Sequence, residues 1–207
     1  LSCLSPDKRI YTIEDTREIY LDRARLVQTV TKGEPNPISA NDLLKEALRF
    51  HPTHIVPAEM RGSEAWTAQE AGRTGHCILT SLHANSAVDA YNRILSMCVQ
   101  SGIQLSEGKI LQMILEAMPL ILFKRQLPDH RRVYAEIFEG TGIQNNTVTG
   151  HTLYRYEITD TQTDKNGNVV CARGLHRRVD SPSDALIERL RYGGASRKDL
   201  QKLRKDG

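Results

Sequence analysis

The sequence predicts an α/β protein: a mostly parallel sheet flanked by helices, followed by an antiparallel β extension and a C-terminal helical tail. Three observations predict it. Strand-like and helix-like stretches alternate as far as Met118, the pattern of a parallel sheet with crossover helices. From Leu120 the texture turns to successive strand-like runs separated by turn residues. After Ser181 helix-start chemistry returns, within a stretch from Arg173 to Lys205 that is rich in Arg and Lys.

Taken in order, Arg9–Glu14 alternates and is β-branched, a strand that ends on the acids Glu14 and Asp15. Ile19–Thr31 continues in a β-like manner, and Gly33–Pro37 is a loop. Ser39 with Asp42 is a capping-box variant opening a helix through Phe50, stopped by Pro52. Thr53–Glu59 is a short apolar run ending on a carboxylate, Ser63–Arg73 a helix stopped at Gly75, and Cys77–Ala84 a strand ending on His83. Helices follow Ser86 and Ser106, each with apolar residues at helical spacing. Strands are expected over Leu120–Leu127, Arg132–Glu139, His151–Ile158 and Asn168–Ala172, with Asn166-Gly167 as a two-residue hairpin turn. Ser181-Pro182-Ser183-Asp184 opens one terminal helix and Ser196 another.

Composition bounds the class. Hydrophobic residues are 39% and charged residues 26%, a globular rather than a disordered balance. The longest apolar run, Ala117–Phe123, is interrupted by Pro119 and falls far short of the roughly 18 residues of a membrane helix. A net charge of +3 is too small to argue for nucleic acid or a membrane surface, so direct nucleic-acid binding is not expected. Cys3, Cys77, Cys98 and Cys171 form no CxxC pair, which argues against a zinc knuckle or a disulfide framework and for reduced thiols. The chain opens on Leu, and its first nine residues lack the regions of a signal peptide, so it reads as a piece of a longer protein.

The chemistry concentrates at strand ends. Glu14/Asp15, Glu59 and His83 each close a strand-like run, and ligands of open α/β sheets sit outside the carboxyl ends of the strands. An acid at one strand end is ordinarily solvated; acids and a histidine at three such ends converge if the strands are parallel neighbours. His51, His54, His130, His151 and His176 read as ordinary surface or core residues, Trp66 as core or interface, and Asn145-Asn146-Thr147 as a glycosylation acceptor without meaning in a cytoplasmic chain.

Residue by residue, the order Arg9-Ile-Tyr-Thr-Ile-Glu14-Asp15, Ile55-Val56-Pro57-Ala58-Glu59-Met60-Arg61-Gly62, Thr74-Gly75-His76 and Leu82-His83-Ala84-Asn85 resembles the secretion ATPase superfamily. These motor ATPases serve type II and type IV secretion, type IV and tight-adherence pili, and conjugation. The resemblance covers residues 9 to 140 and implies a RecA-like core. On it, residues 1–175 would be the C-terminal portion of the ATPase domain with its β extension, and 176–207 a basic helical tail. Glu59 is then the Walker B glutamate that orients water; Glu14 and Asp15 form the Asp box; His76 and His83 form the His box that senses the γ-phosphate. Asp15, Arg61 and Arg17 would contact nucleotide, and Glu59 and Asp15 would hold Mg²⁺ through water or phosphate. Those residue types suit phosphoryl transfer, which depends on positioning and charge stabilisation. The implied cofactors are ATP and Mg²⁺. The implied partners are further copies in a hexamer and an inner-membrane secretion or pilus platform protein, with the motor cytoplasmic and peripheral at the inner face of the membrane.

The sequence contains no G-x-x-x-x-G-K-[ST]. In the family this P-loop lies just upstream of the Asp-box strand, so the expectation is that it precedes Leu1 and that these residues alone are inactive. Pro57 stands where an aliphatic residue would be expected, Ala58 for Gly and Thr53 for Asp, which leaves a weakened or bent strand open. The alternative reading is a non-enzymatic accessory or assembly subunit that keeps the fold. A DNA-handling motor rests only on the basic tail and the shared fold.

Overall fold

Strand β1 (Ile10–Glu14) is buried along its whole length, as a strand covered on both faces must be. In the computed structural model, which describes residues 1–204, it is flanked by two parallel strands, β2 (Leu26–Val30) and β3 (His54–Pro57). β4 (Cys77–Ile78) lies beyond β3, giving the order β2-β1-β3-β4. All four strands run the same way, so their C-terminal ends share one edge.

Three of the helices around this sheet start where the capping chemistry places them. Ser39 and Asp42 form a reciprocal capping box for α1 (Ala40–Ala47), which tightens into a 3-10 turn over Leu48–Phe50. The Ser86 and Ser106 side chains cap α3 (Ala87–Val99) and α4 (Glu107–Ala117). Between them, α2 (Glu64–Arg73) buries a small-residue face of Ala65, Ala68, Ala71 and Gly72. Helices α1 and α2 pack on the strands of the sheet. A Cβ at Gly72 would stand 2.9 Å from the Ala117 methyl, so glycine is what lets α2 and α4 approach.

Two expected strands are shorter than the sequence suggests. Ile19–Ala24 is not strand, because the Glu14 carboxylate takes the Glu18 and Ile19 N–H groups and folds this segment over the end of β1. β4 stops at Ile78 because of Pro57. Cys77 and Leu79 N–H donate to the Thr53 and Ile55 carbonyls, but Pro57 has no N–H with which to continue the ladder. Pairing resumes one residue out of phase, with Glu59 opposite Ser81.

The chain forms two compact units. The first is Leu1–Met118 with Asn145–Thr147, and the second begins at Pro119–Gln144 and continues from Val148. The second holds an antiparallel sheet in the order β5-β6-β7-β8: β5 (Leu120–Gln126), β6 (Arg132–Gln144), β7 (Thr147–Thr163) and β8 (Val169–Arg178). β6 and β7 run beyond their expected ends and meet at Asn145-Asn146, both at positive φ (50° and 54°), the signature of a two-residue hairpin turn. The Asn166-Gly167 turn is wider than expected: only Gly167 has positive φ, and the Asp164 carboxylate accepts the Asn166 and Asn168 N–H groups.

β8 carries His176–Arg178, so the helical part of the tail starts with α5 (Asp184–Tyr192), capped by Ser183, and ends with α6 (Arg197–Arg204). Lys205 to Gly207 of the expected tail lie outside the described residues. None of the four cysteines forms a disulfide, and burial pushes the Cys98 thiol up to about 12. Among the described residues no helix is long and apolar enough to cross a membrane.

Candidate functional site

Three of the four parallel strands deliver a titratable side chain to the C-terminal edge of the sheet. Asp15 follows β1, Glu59 follows β3, and His83 follows the segment beyond β4. Arg61 draws them together. Its Nη2 donates to Glu59 Oε2 at 2.6 Å and its Nη1 lies 3.3 Å from Asp15 Oδ2. His83 Nε2 is 3.5 Å from the other Glu59 oxygen, and its ring is 92% exposed. The Thr31 hydroxyl, just past β2, donates to Asp15 Oδ1 at 3.0 Å.

The Arg61 hydrogen bond holds the Glu59 carboxyl below the usual glutamate range, with the Arg61 and His83 charges adding to it against the opposing effect of burial. Reciprocally, Glu59 raises the Arg61 guanidinium, helped by the charges of Asp15 and Glu18. The loop carrying Arg61 is itself fixed. Glu64 Oε1, at the first turn of α2, accepts the Arg61 and Gly62 N–H groups at 2.6 and 2.9 Å.

The other expected site residues do not bond to this group. Glu14 is on the correct edge but turned inward: 2% exposed, it accepts the Thr12 hydroxyl and the Glu18 and Ile19 N–H groups. Arg17 bonds Gln28 Oε1 at 2.8 Å and sits over the Tyr20 ring, apart from the Glu59 group. His76 precedes β4, level with Thr53 at the opposite edge of the sheet, where Nδ1 lies 3.2 Å from the Ala71 carbonyl. His83 lies seven residues further along the chain, beyond the C-terminal end of β4. Thr31, Glu18, Glu64 and Ser81 went unnoticed in the sequence. Thr31 carried the same signal as the others, a polar residue just past a strand.

Asp15 and Glu59 are hard oxygen donors from two strand ends within reach of one guanidinium. That donor set suits Mg²⁺, which keeps several waters and takes only one or two carboxylates. Among the described residues no three His, Cys, Asp or Glu side chains group as a metal cage. What the cluster can do is orient a water against an ionised carboxylate, beside an exposed imidazole and a guanidinium that can meet developing negative charge.

Comparison with known proteins shows the family of the chain. Residues 1–180 match the type II/IV secretion system protein family. The type IV secretion system protein PtlH of Bordetella pertussis is 43% identical over 103 residues, 47% of this chain and 30% of PtlH. The conjugal transfer protein TrbB of Rhizobium radiobacter is 31% identical over 143 residues, 69% of this chain and 42% of TrbB. The crystal structure of the VirB11 ATPase from the Brucella suis type IV secretion system, in complex with sulphate, superposes with a TM-score of 0.59. It is 30% identical and covers 66% of this chain and 42% of its own. The chain therefore spans less than half the length of each of these relatives. With the family match extending over residues 1–180 of 207, this chain belongs to the type II/IV secretion system protein family.

Proposed function

We propose that this chain supplies the water-activating edge of an ATP-hydrolysing motor that powers protein secretion, pilus assembly or conjugative transfer. The observation that carries the reading is the grouping of Glu59, Arg61, Asp15 and His83 at the C-terminal edge of a parallel sheet, in a chain of this family. Glu59 orients the attacking water and accepts its proton. His83, on the opposite carboxylate oxygen, faces the space where a γ-phosphate would stand and donates to it. Arg61 and Asp15 complete the nucleotide side of the cleft, and Asp15 with Glu59 would hold Mg²⁺ through its waters. Bound Mg²⁺ supplies charge neutralisation at the phosphates. Glu14 shapes the loop that carries Asp15. The phosphate cradle comes from residues outside this sequence, which contains no G-x-x-x-x-G-K-[ST], so the 207 residues alone turn over no ATP.

In the intact protein the motor is an oligomer, a hexamer by resemblance. It works from the cytoplasm at the inner face of the membrane, against a platform protein. The test is Glu59→Gln in that oligomer, with steady-state hydrolysis measured beside equilibrium ATP binding. The substitution keeps size and hydrogen bonding but removes the charge that acts in the transition state. kcat should fall about 10²–10⁴-fold with ATP affinity retained. Turnover in Glu59→Gln like that of the wild type would remove the role given to Glu59, and an oligomer whose wild type hydrolyses no ATP would transfer the protein to the second reading, an accessory subunit without hydrolysis.

A further inference from the structure

Beyond the carboxylate itself, the backbone beneath Glu59 departs from regular pairing. Along β3 and β4 the parallel ladder is regular at first: Cys77 N–H reaches the Thr53 carbonyl at 3.0 Å and Leu79 N–H the Ile55 carbonyl at 3.1 Å. Continued in phase, Ser81 N–H would bond the Pro57 carbonyl, and Pro57 would donate to the Leu79 carbonyl. Proline has no such donor. The bonding slips instead. Ser81 N–H donates to the Ala58 carbonyl at 3.3 Å, and Met60 N–H donates to the Ser81 carbonyl at 2.9 Å. The Ser81 hydroxyl adds a second bond to the same Ala58 carbonyl at 2.7 Å. Ala58 N–H meanwhile holds the Ile13 carbonyl of β1 at 2.9 Å, so the slip is confined to the β4 side.

A slip of one residue exchanges the faces of a strand. In phase, Ala58 would stand opposite Ser81; as observed, Glu59 does. His83 lies two residues beyond Ser81, and its Nε2 stands 3.5 Å from Glu59 Oε1. With the slip, the residue level with Ser81 is the one whose carboxylate meets His83.

We propose that Ser81 is a positioning residue for Glu59: its three hydrogen bonds lock the one-residue slip that Pro57 imposes and thereby aim the carboxylate at His83 and Arg61. The proposal rests on the hydrolytic reading only for its effect on turnover; the lock itself is a property of the chain.

Two measurements test it separately. Amide hydrogen exchange of the 207-residue chain should show Met60 N–H protected. In Pro57→Val, which restores the missing donor, protection should move from Met60 to Glu59 as the ladder zips in phase. An unprotected Met60 in the parent chain, or an unmoved pattern in Pro57→Val, overturns the lock. In the full-length oligomer, Ser81→Ala should lower kcat about 10- to 100-fold with KM for ATP unchanged, and Ser81→Thr, which keeps the hydroxyl, should restore it. Unchanged kcat in Ser81→Ala, or a Thr variant as impaired as Ala, overturns the positioning role, provided Glu59→Gln is impaired in the same assay. If Glu59→Gln also turns over normally, the hydrolytic reading has failed and the exchange pattern alone decides the lock.

Discussion

Arg61 closes on Glu59 with Nη2 2.6 Å from Oε2, so the carboxylate offered for water activation is already tied to a cation two residues away. The same guanidinium reaches Asp15 at 3.3 Å, and both partners are substantially open to solvent, Arg61 at 65%. An ion pair so exposed contributes little to stability. Its consequence is electrostatic, since it keeps Glu59 ionised and fixes where its lone pairs point.

Arg61→Gln should therefore let the Glu59 carboxyl rise back toward the usual glutamate range, read as the midpoint of its ¹³C carboxyl titration. Because the folded value lies below the ordinary 4.5, the pair supports the fold above that pH and is lost as pH falls through the folded value. The thermal midpoint at neutral pH should barely move, given the exposure of Arg61. A Glu59 midpoint unmoved by Arg61→Gln would assign its depression to another partner.

Glu14 lies beside Asp15 at the end of β1 and is hydrogen-bonded within its own loop. It is 2% exposed and accepts the Thr12 hydroxyl and the Glu18 and Ile19 N–H groups, the last two at 2.8 Å each. Glu14→Ala leaves the buried Thr12 hydroxyl without its acceptor, at a cost of about 1–3 kcal/mol, and turns the Glu18 and Ile19 N–H groups over to water. Urea unfolding of the 207-residue chain should show that loss, and exchange at Ile19 should quicken. Stability equal to the parent would mean the loop is held by other bonds.

Local chemistry was the legible part of this sequence. Ser39 with Asp42, Ser86 with Asp89, and Ser106 each cap the helix they precede, because a cap needs only residues within one turn, whereas the helix expected to open on Ser181-Pro182 is capped two residues later, by Ser183. Strand ends were legible as a set, and Asp15, Glu59 and His83 do converge on Arg61 or on one another. What escaped depends on neighbours distant in sequence. The β4 boundary is set by Pro57 in the adjacent strand, and the inward turn of Glu14 by N–H groups of a loop read as strand. Asn145-Asn146, passed over as a glycosylation acceptor, was a turn signal: two residues that tolerate positive φ between alternating strands.

In the second unit, Glu139 is the buried anchor of the terminal helices. Its side chain is 3% exposed, accepts the Ser183 hydroxyl and, at 2.9 Å, the Ser183 N–H, and has His151 Nε2 at 3.4 Å. Ser183 is also the cap of α5. Glu139→Ala should cost about 1–3 kcal/mol and loosen α5 before the β-sheet. Native-state exchange at Leu186 and Ile187 should quicken selectively, whereas uniform quickening would mean that Glu139 supports the sheet instead.

His54 gives the chain a stability that depends on pH. It opens β3, half-buried, with its Nδ1 2.9 Å from the Thr53 hydroxyl. Burial first, then the charges of Lys8 and Arg23, lower its pKa from the ordinary 6.5. The unfolded chain therefore takes up this proton before the folded one does. Above pH 6.5 both states are neutral and the group contributes nothing. As pH falls through that value the unfolded state is favoured, until the folded histidine protonates as well. The slope from this one proton can reach about 1.4 kcal/mol per pH unit and no more. His54→Gln removes the group while keeping a polar side chain. The urea midpoint of the parent should drop between pH 7 and pH 5 by more than that of the variant, and the difference should vanish above pH 7.5. Parallel curves for the two proteins would show that His54 titrates alike in the folded and unfolded chain.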